Sequence, residues 1–384
     1  MREVYIVEAV RTAVGKRKGA LASIRPDEMV AKTIKELVKK ANIDPAEVED
    51  VILGCVHQVE EQSINIARSA ALIADLPIEV PGTTIDRQCG SGQQAIHFAT
   101  QAIMCGDMDV VIAGGVESMS RVPFGSTRKE TGWSEELTSK YEIIHQGVSA
   151  ERIADQWGFS REDLDKFSVE SHRRALHARE QGFFSDEIMP LEVTLDDGTT
   201  AIVKDDEGPR KETTLEALAN LKPAFQEDGK IHAGNSSQMS DGAAVLLLMS
   251  KEKAEELGVK PRFKIIARTV IGSDPTLMLT GPIEATRKVL KKAGLTLDEM
   301  DIYEVNEAFA PVPLAWLKDL EADPNKLNPN GGAIALGHPL GATGARIMIS
   351  MMHELERIGG RYGLQAICEG AGMANATIIE RVIE

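Results

Sequence analysis

No run of about twenty uninterrupted apolar residues, the length that spans a bilayer, occurs in the sequence, and a transmembrane helix is therefore not expected. The first residues, MREVYIVEAVRTAVGKRKG, lack the apolar core of a signal peptide, and the final VIE is not a peroxisomal Ser-Lys-Leu address. A cytoplasmic protein with no membrane partner is the expectation. Basic residues are in deficit: 43 Lys and Arg face 59 Asp and Glu, a formal charge of −16, with no Lys/Arg-rich stretch interleaved with aromatics to offset it. Such a surface repels a phosphate backbone, which argues against nucleic acid. A ligand with only a few phosphates stays compatible, because salt screens one basic pocket from acidic surface more than about 8–10 Å away. Cysteine is scarce too. Cys55, Cys89, Cys105 and Cys368 are widely spaced, without paired metal-ligand spacing, so neither a metal site nor a disulfide framework is expected and each thiol must be read from its surroundings.

The 384 residues, 43% hydrophobic and 27% charged, suffice for two packed cores. Short β-branched runs alternate with helical patterns, the signature of a mostly parallel sheet covered by helices. Strands are expected at 4–8, 49–56, 109–113, 243–249, 262–271, 300–305, 363–368 and 375–382, and helices at 27–42, 64–75, 90–105, 162–181, 283–293, 308–319 and 343–358. Between about 119 and 240 the rhythm breaks into Gly, Pro, Ser, Thr and charged residues with one long helix, which reads as a large inserted loop region. The flanking stretches look alike. Each has a Gly-rich turn opening a helix (CGSGQQAI, then GHPLGATGAR) and a strand ending in a Gly-rich turn (VVIAGGVESM, then QAICEGAGMA), suggesting two related halves.

Within TTIDRQCGSGQQAI, Cys89 sits at a strand-turn-helix junction followed by Gly90 and Gly92. Glycines there let backbone approach a ligand closely, and a helix start offers free N–H groups and a positive dipole end. That position is expected to favour thiolate over thiol and to make Cys89 the most readily alkylated cysteine. Cys55, on an apolar strand, and Cys105, at a helix end, read as core or incidental, as do His57 and His97. NPNGGAIALGHPLGATGAR holds one histidine, His338, in a rigid loop where it can serve as a general base or as a donor to an oxyanion. The run lacks the Gly-Lys-Ser/Thr ending of a P-loop. Cys368 leaves a strand into a Gly-rich bend. Two thiols and an imidazole suit a reaction that needs both a nucleophile and a separate proton carrier. Asn306, between a strand and a helix, reads in isolation as a helix cap.

Taken together, DRQCGSGQQAI, GGVESMS, NEAFA, NGGAIALGHPLGATGAR and the CxGxGMA turn resemble the thiolase family of acetyl-CoA acetyltransferases and 3-ketoacyl-CoA thiolases, and the likeness runs nearly end to end. The resemblance implies duplicated α/β halves in a layered α-β-α-β-α arrangement with a large inserted loop domain. Residues 1–118 with 241–260 would form the first half, 119–240 the insert and 261–384 the second half. It implies reversible CoA-dependent cleavage of a 3-ketoacyl-CoA, or the reverse condensation. Cys89 would carry the acyl group, His338 activate it and Cys368 exchange a proton with the acetyl-CoA carbon. Asn306 would hold a water in one oxyanion hole shared with His338, while the N–H groups of Cys89 and Gly370 form the other. Acyl-CoA and CoA would be the partners, CoA a co-substrate with no tightly bound cofactor, and the assembly a homodimer or homotetramer. His145, Arg210, Leu221, Ala224, Phe225 and Ser237 match substrate- and CoA-contacting positions. The chain departs from the family pattern at Ala13, Gln93, Gln146, Ala371 and Ala374. Ala371 costs about 1 kcal/mol if its backbone must take a positive φ. Decarboxylating β-ketoacyl synthases share such a fold but use two histidines. A non-catalytic acyl-CoA-binding protein would have no need of the four polar groups.

Overall fold

A computed structural model describes residues 2–128, 132–195 and 197–383. The first half comprises β1 (Val4–Arg11), α1 (Pro26–Ala41), β2 (Asp50–Gly54), α2 (Ile66–Ile73), β3 (Gly82–Ile85), α3 (Ser91–Cys105) and β4 (Val110–Ser118). Helices α4 (Gln146–Gln156) and α5 (Arg161–Glu180), two short helical turns (Glu135–Thr138 and Leu215–Ala219) and a hairpin of β5 (Leu191–Thr194) and β6 (Thr200–Val203) follow before β7 (Ser240–Ser250) returns. The second half runs β8 (Phe263–Gly272), α6 (Gly281–Ala293), β9 (Ile302–Val305), α7 (Pro311–Leu320), α8 (Leu340–Ile358), β10 (Tyr362–Glu369) and β11 (Met373–Arg381).

The strands of both halves lie in the order β9-β10-β11-β8-β1-β7-β4-β2-β3. Read outward from the centre, β1-β7-β4-β2 on one side repeats β8-β11-β10-β9 on the other. The halves meet at β1 and β8, antiparallel, through only Tyr5↔Lys264 and Ile6↔Phe263. Helix α3 of one half and α8 of the other share the central layer, where Ala95, Ile96, Ile103, Met348, Ile349 and Met352 pack with inward residues of both sheets. Outer helices α1 and α2 cover one sheet, and α6 and α7 the other. The result is the α-β-α-β-α layering. The expected mostly parallel sheet is not what forms. Pairing is parallel at β2 with β3, β2 with β4 and β9 with β10, and antiparallel elsewhere. The reason is topological. β7 re-enters after the insert and β11 after a tight turn, and neither arrives by the helical crossover that parallel pairing needs.

The insert is more structured than a loop region. Arg11, fully buried on β1, donates to Glu187 at 2.7 Å and to both oxygens of Asp206 at 2.7 and 2.9 Å, fastening the insert at two points. Removing either partner would strand a buried charge. Helix α4 gives little start signal because its cap is His145, whose Nδ1 accepts from the Gly147 N–H at 3.0 Å, a role usually taken by Ser, Thr, Asp or Asn.

Candidate active site

The turn before α3 is fixed by its own polar atoms. The Ser91 hydroxyl accepts from the Arg87 N–H at 2.8 Å and donates to the Gln88 carbonyl at 2.6 Å, and Gln88 takes a φ of 47°. This bend lifts Cys89 off the strand and aims it at the opposite half. There the start of α8 is equally constrained: the His338 N–H donates to the Gln238 carbonyl at 3.1 Å and the Gly341 N–H to Glu117 at 2.9 Å. Glu117 also accepts from the N–H groups of Val56 and His57 and from the Gln62 amide, so a single carboxylate at the end of β4 pins three segments.

Glycine brings the two helix starts together. A Cβ on Gly92 would sit 2.7 Å from the Gly341 carbonyl oxygen, and one on Gly344 would collide with the Gln93 backbone nitrogen. These glycines serve helix-to-helix approach rather than approach to a ligand.

Cys89, His338, Asn306 and Cys368 are all buried. Cys89 lies within electrostatic range of Cys368, Asn306 lies beside His338, and Cys89 packs in one cluster with Leu340, two residues past His338. His338 Nδ1 lies 2.6 Å from the Thr343 hydroxyl, which itself donates to the Pro339 carbonyl at 2.9 Å. With its proton committed there, the hydroxyl oxygen must accept, which assigns the histidine proton to Nδ1 and leaves Nε2 bare. Nε2 lies 3.4 Å from Asn306 Nδ2. Burial, assisted by the charge of Arg346, draws His338 down to about 3, so the imidazole is neutral at physiological pH, with Nε2 unprotonated. Asn306 caps no helix, since α7 begins only at Pro311. Its Oδ1 is buried without a partner, in keeping with a site that takes a water-sized donor.

The thiolate expectation is overturned. Burial, then the charge of Glu369, pushes the Cys89 thiol up to about 12, although the Cys89 and Gly370 N–H groups pull the other way. The helix proper begins at Ser91, two residues on, and desolvation outweighs its dipole. Cys368 is likewise raised by burial, by Cys89 and by Glu369. A thiolate at Cys89 therefore has to be made on demand, by a base that takes its proton. Cys105, by contrast, is exposed, so a soluble alkylating agent meets it before Cys89, the reverse of the sequence expectation.

Next to this centre opens a cleft of about 560 Å³ lined by Gln88, Gly370, Ala371, His57, His145, Gln146, Phe124, Arg128, Trp133, Ile143, Ile144 and Met278 among others. The His145 ring stacks on Phe225 at 5.1 Å, and Phe225 meets Phe309 edge-on at 5.9 Å. Ala224 adjoins Phe225, and the Ser237 N–H donates to the Ala308 carbonyl. Arg210 donates to the Gln238 side chain at 2.9 Å, one residue past Ser237, and Gln238 in turn carries the carbonyl that holds His338. Leu221 lies farther out, exposed, above Gly234. Thr343, Gln238, Glu117 and Glu369 were not singled out from sequence. Thr343 carries a readable signal, a hydroxyl five residues past the only motif histidine. The others become visible only through contacts between distant segments.

Residues 4–252 match the family model for the thiolase N-terminal domain and 259–381 that for the thiolase C-terminal domain. The chain belongs to the thiolase family. It is 50% identical to a steroid 3-ketoacyl-CoA thiolase of Mycobacterium tuberculosis over 100% of this chain and 95% of that one. Identity is 44% to a beta-ketoadipyl-CoA thiolase of Acinetobacter baylyi, covering both chains fully. The crystal structure of the Bacillus anthracis acetyl-CoA acetyltransferase superposes with a TM-score of 0.92 at 42% identity, over 100% of this chain and 99% of that one. This thiolase is thus an enzyme, an acyltransferase of CoA-dependent thiolytic cleavage or condensation, with CoA as co-substrate. Among the described residues no helix is long and apolar enough to cross a membrane.

Proposed function

We propose that Cys89 is the acyl-carrying nucleophile, with His338 its base and Cys368 the proton carrier at carbon. What carries this reading is the pair of adjacent buried thiols together with a neutral imidazole, at the facing helix start, whose Nε2 is unprotonated and receives only the Asn306 amide at 3.4 Å. In cleavage, His338 Nε2 takes the Cys89 proton and the sulfur attacks the 3-keto carbon. The Cys89 and Gly370 N–H groups, both near the sulfur, receive the oxyanion. As the bond between C2 and C3 breaks, charge passes to the thioester oxygen, facing His338, now protonated, and a water held by Asn306. Cys368 protonates C2, and acetyl-CoA leaves. A CoA thiol then returns a proton to Cys368, its sulfur takes the acyl group, and Cys89 recovers its proton from His338. Atoms and charges balance over the cycle.

His145, Arg210, Leu221, Ala224, Phe225 and Ser237 are proposed to bind CoA and substrate along the band from the cleft to His338. A cleft of about 560 Å³ falls within the usual range for ligand sites and exceeds what a two-carbon acyl group fills. Together with relatives named for steroid 3-ketoacyl-CoA and beta-ketoadipyl-CoA, it supports thiolysis of a 3-ketoacyl-CoA with a substantial acyl tail. The cytoplasm, which keeps thiols reduced, is the proposed compartment. A homodimer or homotetramer is also proposed. β3 is an edge strand, and in the segment leading into it Ile64 (92% exposed), Ile78 (74%), Leu72 and Ile73 are exposed apolar side chains that a second copy would cover.

The test is thiolysis of 3-ketoacyl-CoA substrates from four to sixteen carbons, followed by loss of the 3-ketoacyl absorbance, with Cys89→Ala and Cys368→Ser alongside. Cys89→Ala should form no acyl-enzyme. Cys368→Ser should acquire an acyl group from a simple acyl-CoA yet fail in carbon–carbon cleavage, and an active Cys368→Ser enzyme would reverse the division of roles.

A further inference from the structure

Against the turn that carries the nucleophile lies a carboxyl that the mechanism above does not use. Glu369 is the last residue of β10, between Cys368 and Gly370, and is fully buried. Neither of its side-chain oxygens has a hydrogen-bond partner. Its Oε1 lies against Gly90 so closely that a Cβ there would overlap it, which places the carboxyl at the helix start one residue from Cys89. The groups facing it are few. Arg87 and Asp86 come from the segment entering α3, Cys89 from the turn itself and Cys368 from its own strand, while β11 contributes its uncharged register partner, Met373. Arg87 makes no side-chain hydrogen bond to Glu369. Its Nε is itself buried and unpartnered, and its NH1 points to the Met373 sulfur at 3.8 Å.

We propose that Glu369 is a positioning residue for the Cys89 charge: it works as a protonated carboxyl, and its ionisation opposes formation of the Cys89 thiolate. The proposal rests on reading Cys89 as the nucleophile. Burial pushes Glu369 up to about 8, against the pull of Arg87 and with the help of Asp86, so the acid form holds at neutral pH. After burial, the Glu369 charge is the largest influence raising Cys89. Below about pH 8 the two groups hardly interact, because the carboxyl is neutral. Above it each thiolate must form beside a buried carboxylate, and like charges at such range raise a pKa by about one unit or more.

The fingerprint is a divergence confined to alkaline pH. Rates of Cys89 alkylation by iodoacetamide, resolved from Cys105 by peptide mass spectrometry, should coincide at pH 7 for the wild type and Glu369→Gln. As pH rises the wild-type curve should flatten while the variant keeps climbing, to about a tenfold excess near pH 9.5. Glu369→Met, neutral and of similar bulk, should follow Glu369→Gln, and Glu369→Asp, which restores the charge, should follow the wild type. The alkaline limb of kcat/KM should move in the same sense. Parallel curves for the wild type and either folded neutral variant overturn the proposal, whatever thiolysis gives. Divergent curves in a chain that forms no acyl-enzyme support the coupling and overturn the nucleophile reading instead.

Discussion

In the first half β4 ends at Glu117 and Ser118 and α3 opens just past Cys89; in the second half the matching β10 ends at Cys368 and Glu369 and α8 opens just past His338. The same two positions of one repeated plan hold different chemistry. At the strand end, the first half has a carboxylate whose hydrogen bonds are filled by Val56, His57, Gln62 and Gly341, whereas the second half has a thiol and, next to it, a carboxyl neither of whose oxygens has a partner. Satisfied polar groups hold a structure in place, and unsatisfied buried ones mark where something must still arrive. On the proposed reading the first half supplies a rigid platform and a nucleophile, and the second the groups that move protons. Neither half is a site alone.

The most severe way to break this division is to separate the two helix starts. Gly344→Ala places a methyl on the Gln93 backbone nitrogen, and backbone cannot step aside as a side-chain end can. A loss of about 2–3 kcal/mol in unfolding free energy, read from denaturant titration, is expected. With it should go most thiolysis activity, since an ångström of misplacement between reacting groups costs about a hundredfold. Near-normal activity in Gly344→Ala would show that Cys89 and His338 need no fixed distance.

A smaller effect is expected where the second half tunes its own imidazole. Thr343→Val keeps the shape and removes the hydroxyl that holds the Nδ1 proton. The other tautomer then becomes accessible, with Nε2 protonated and unable to act as base. A fall in kcat of about 10–100-fold with little change in KM is expected, the range seen when a partner that orients an imidazole is lost. An unchanged kcat would mean that something other than Thr343 sets the tautomer.

How far the sequence carried depends on which of these contacts is local. The main strands and helices of both halves follow from periodicity, and the structure has them with shifts of a few residues, β3 being the strand without an expected range. Cys89, His338 and Cys368 were legible because each sits in a Gly-rich turn, whereas Asn306, in the glycine-free YEVNEAFA, read in isolation only as a cap; the structure sets Cys89 beside Cys368 and Asn306 beside His338. The thiol's ionisation was not legible, because a helix dipole can be read from a segment whereas burial comes from residues hundreds of positions away. For the same reason Glu369 looked like a spacer in CxGxG. The insert was under-read where caps were unusual, as at His145, and its anchoring through Arg11 joins residues nearly two hundred apart.

The smallest expected effect lies in the turn after β10. Ala371 has a φ of 65°, so the conditional strain attached to it applies, whereas no residue from Ser118 to Ser120, in the matching turn of the first half, has a positive φ. Its methyl is exposed, so glycine there forfeits no buried contact. Ala371→Gly removes the left-handed strain and adds some freedom to the unfolded chain, and the first should exceed the second, leaving a gain of roughly 0.5–1 kcal/mol. The effect on rate is the more informative measurement. Gly370, the adjacent residue, is the proposed oxyanion donor, and a strained but definite backbone at 371 fixes the direction of its N–H. If strain is what aims that donor, Ala371→Gly should be more stable in denaturant and two- to fivefold slower in kcat, an estimate of roughly half a kcal/mol to one in the barrier. A variant both more stable and equally fast would place the aim of Gly370 in the β10–β11 pairing, and leave Ala371 a strain without a catalytic return.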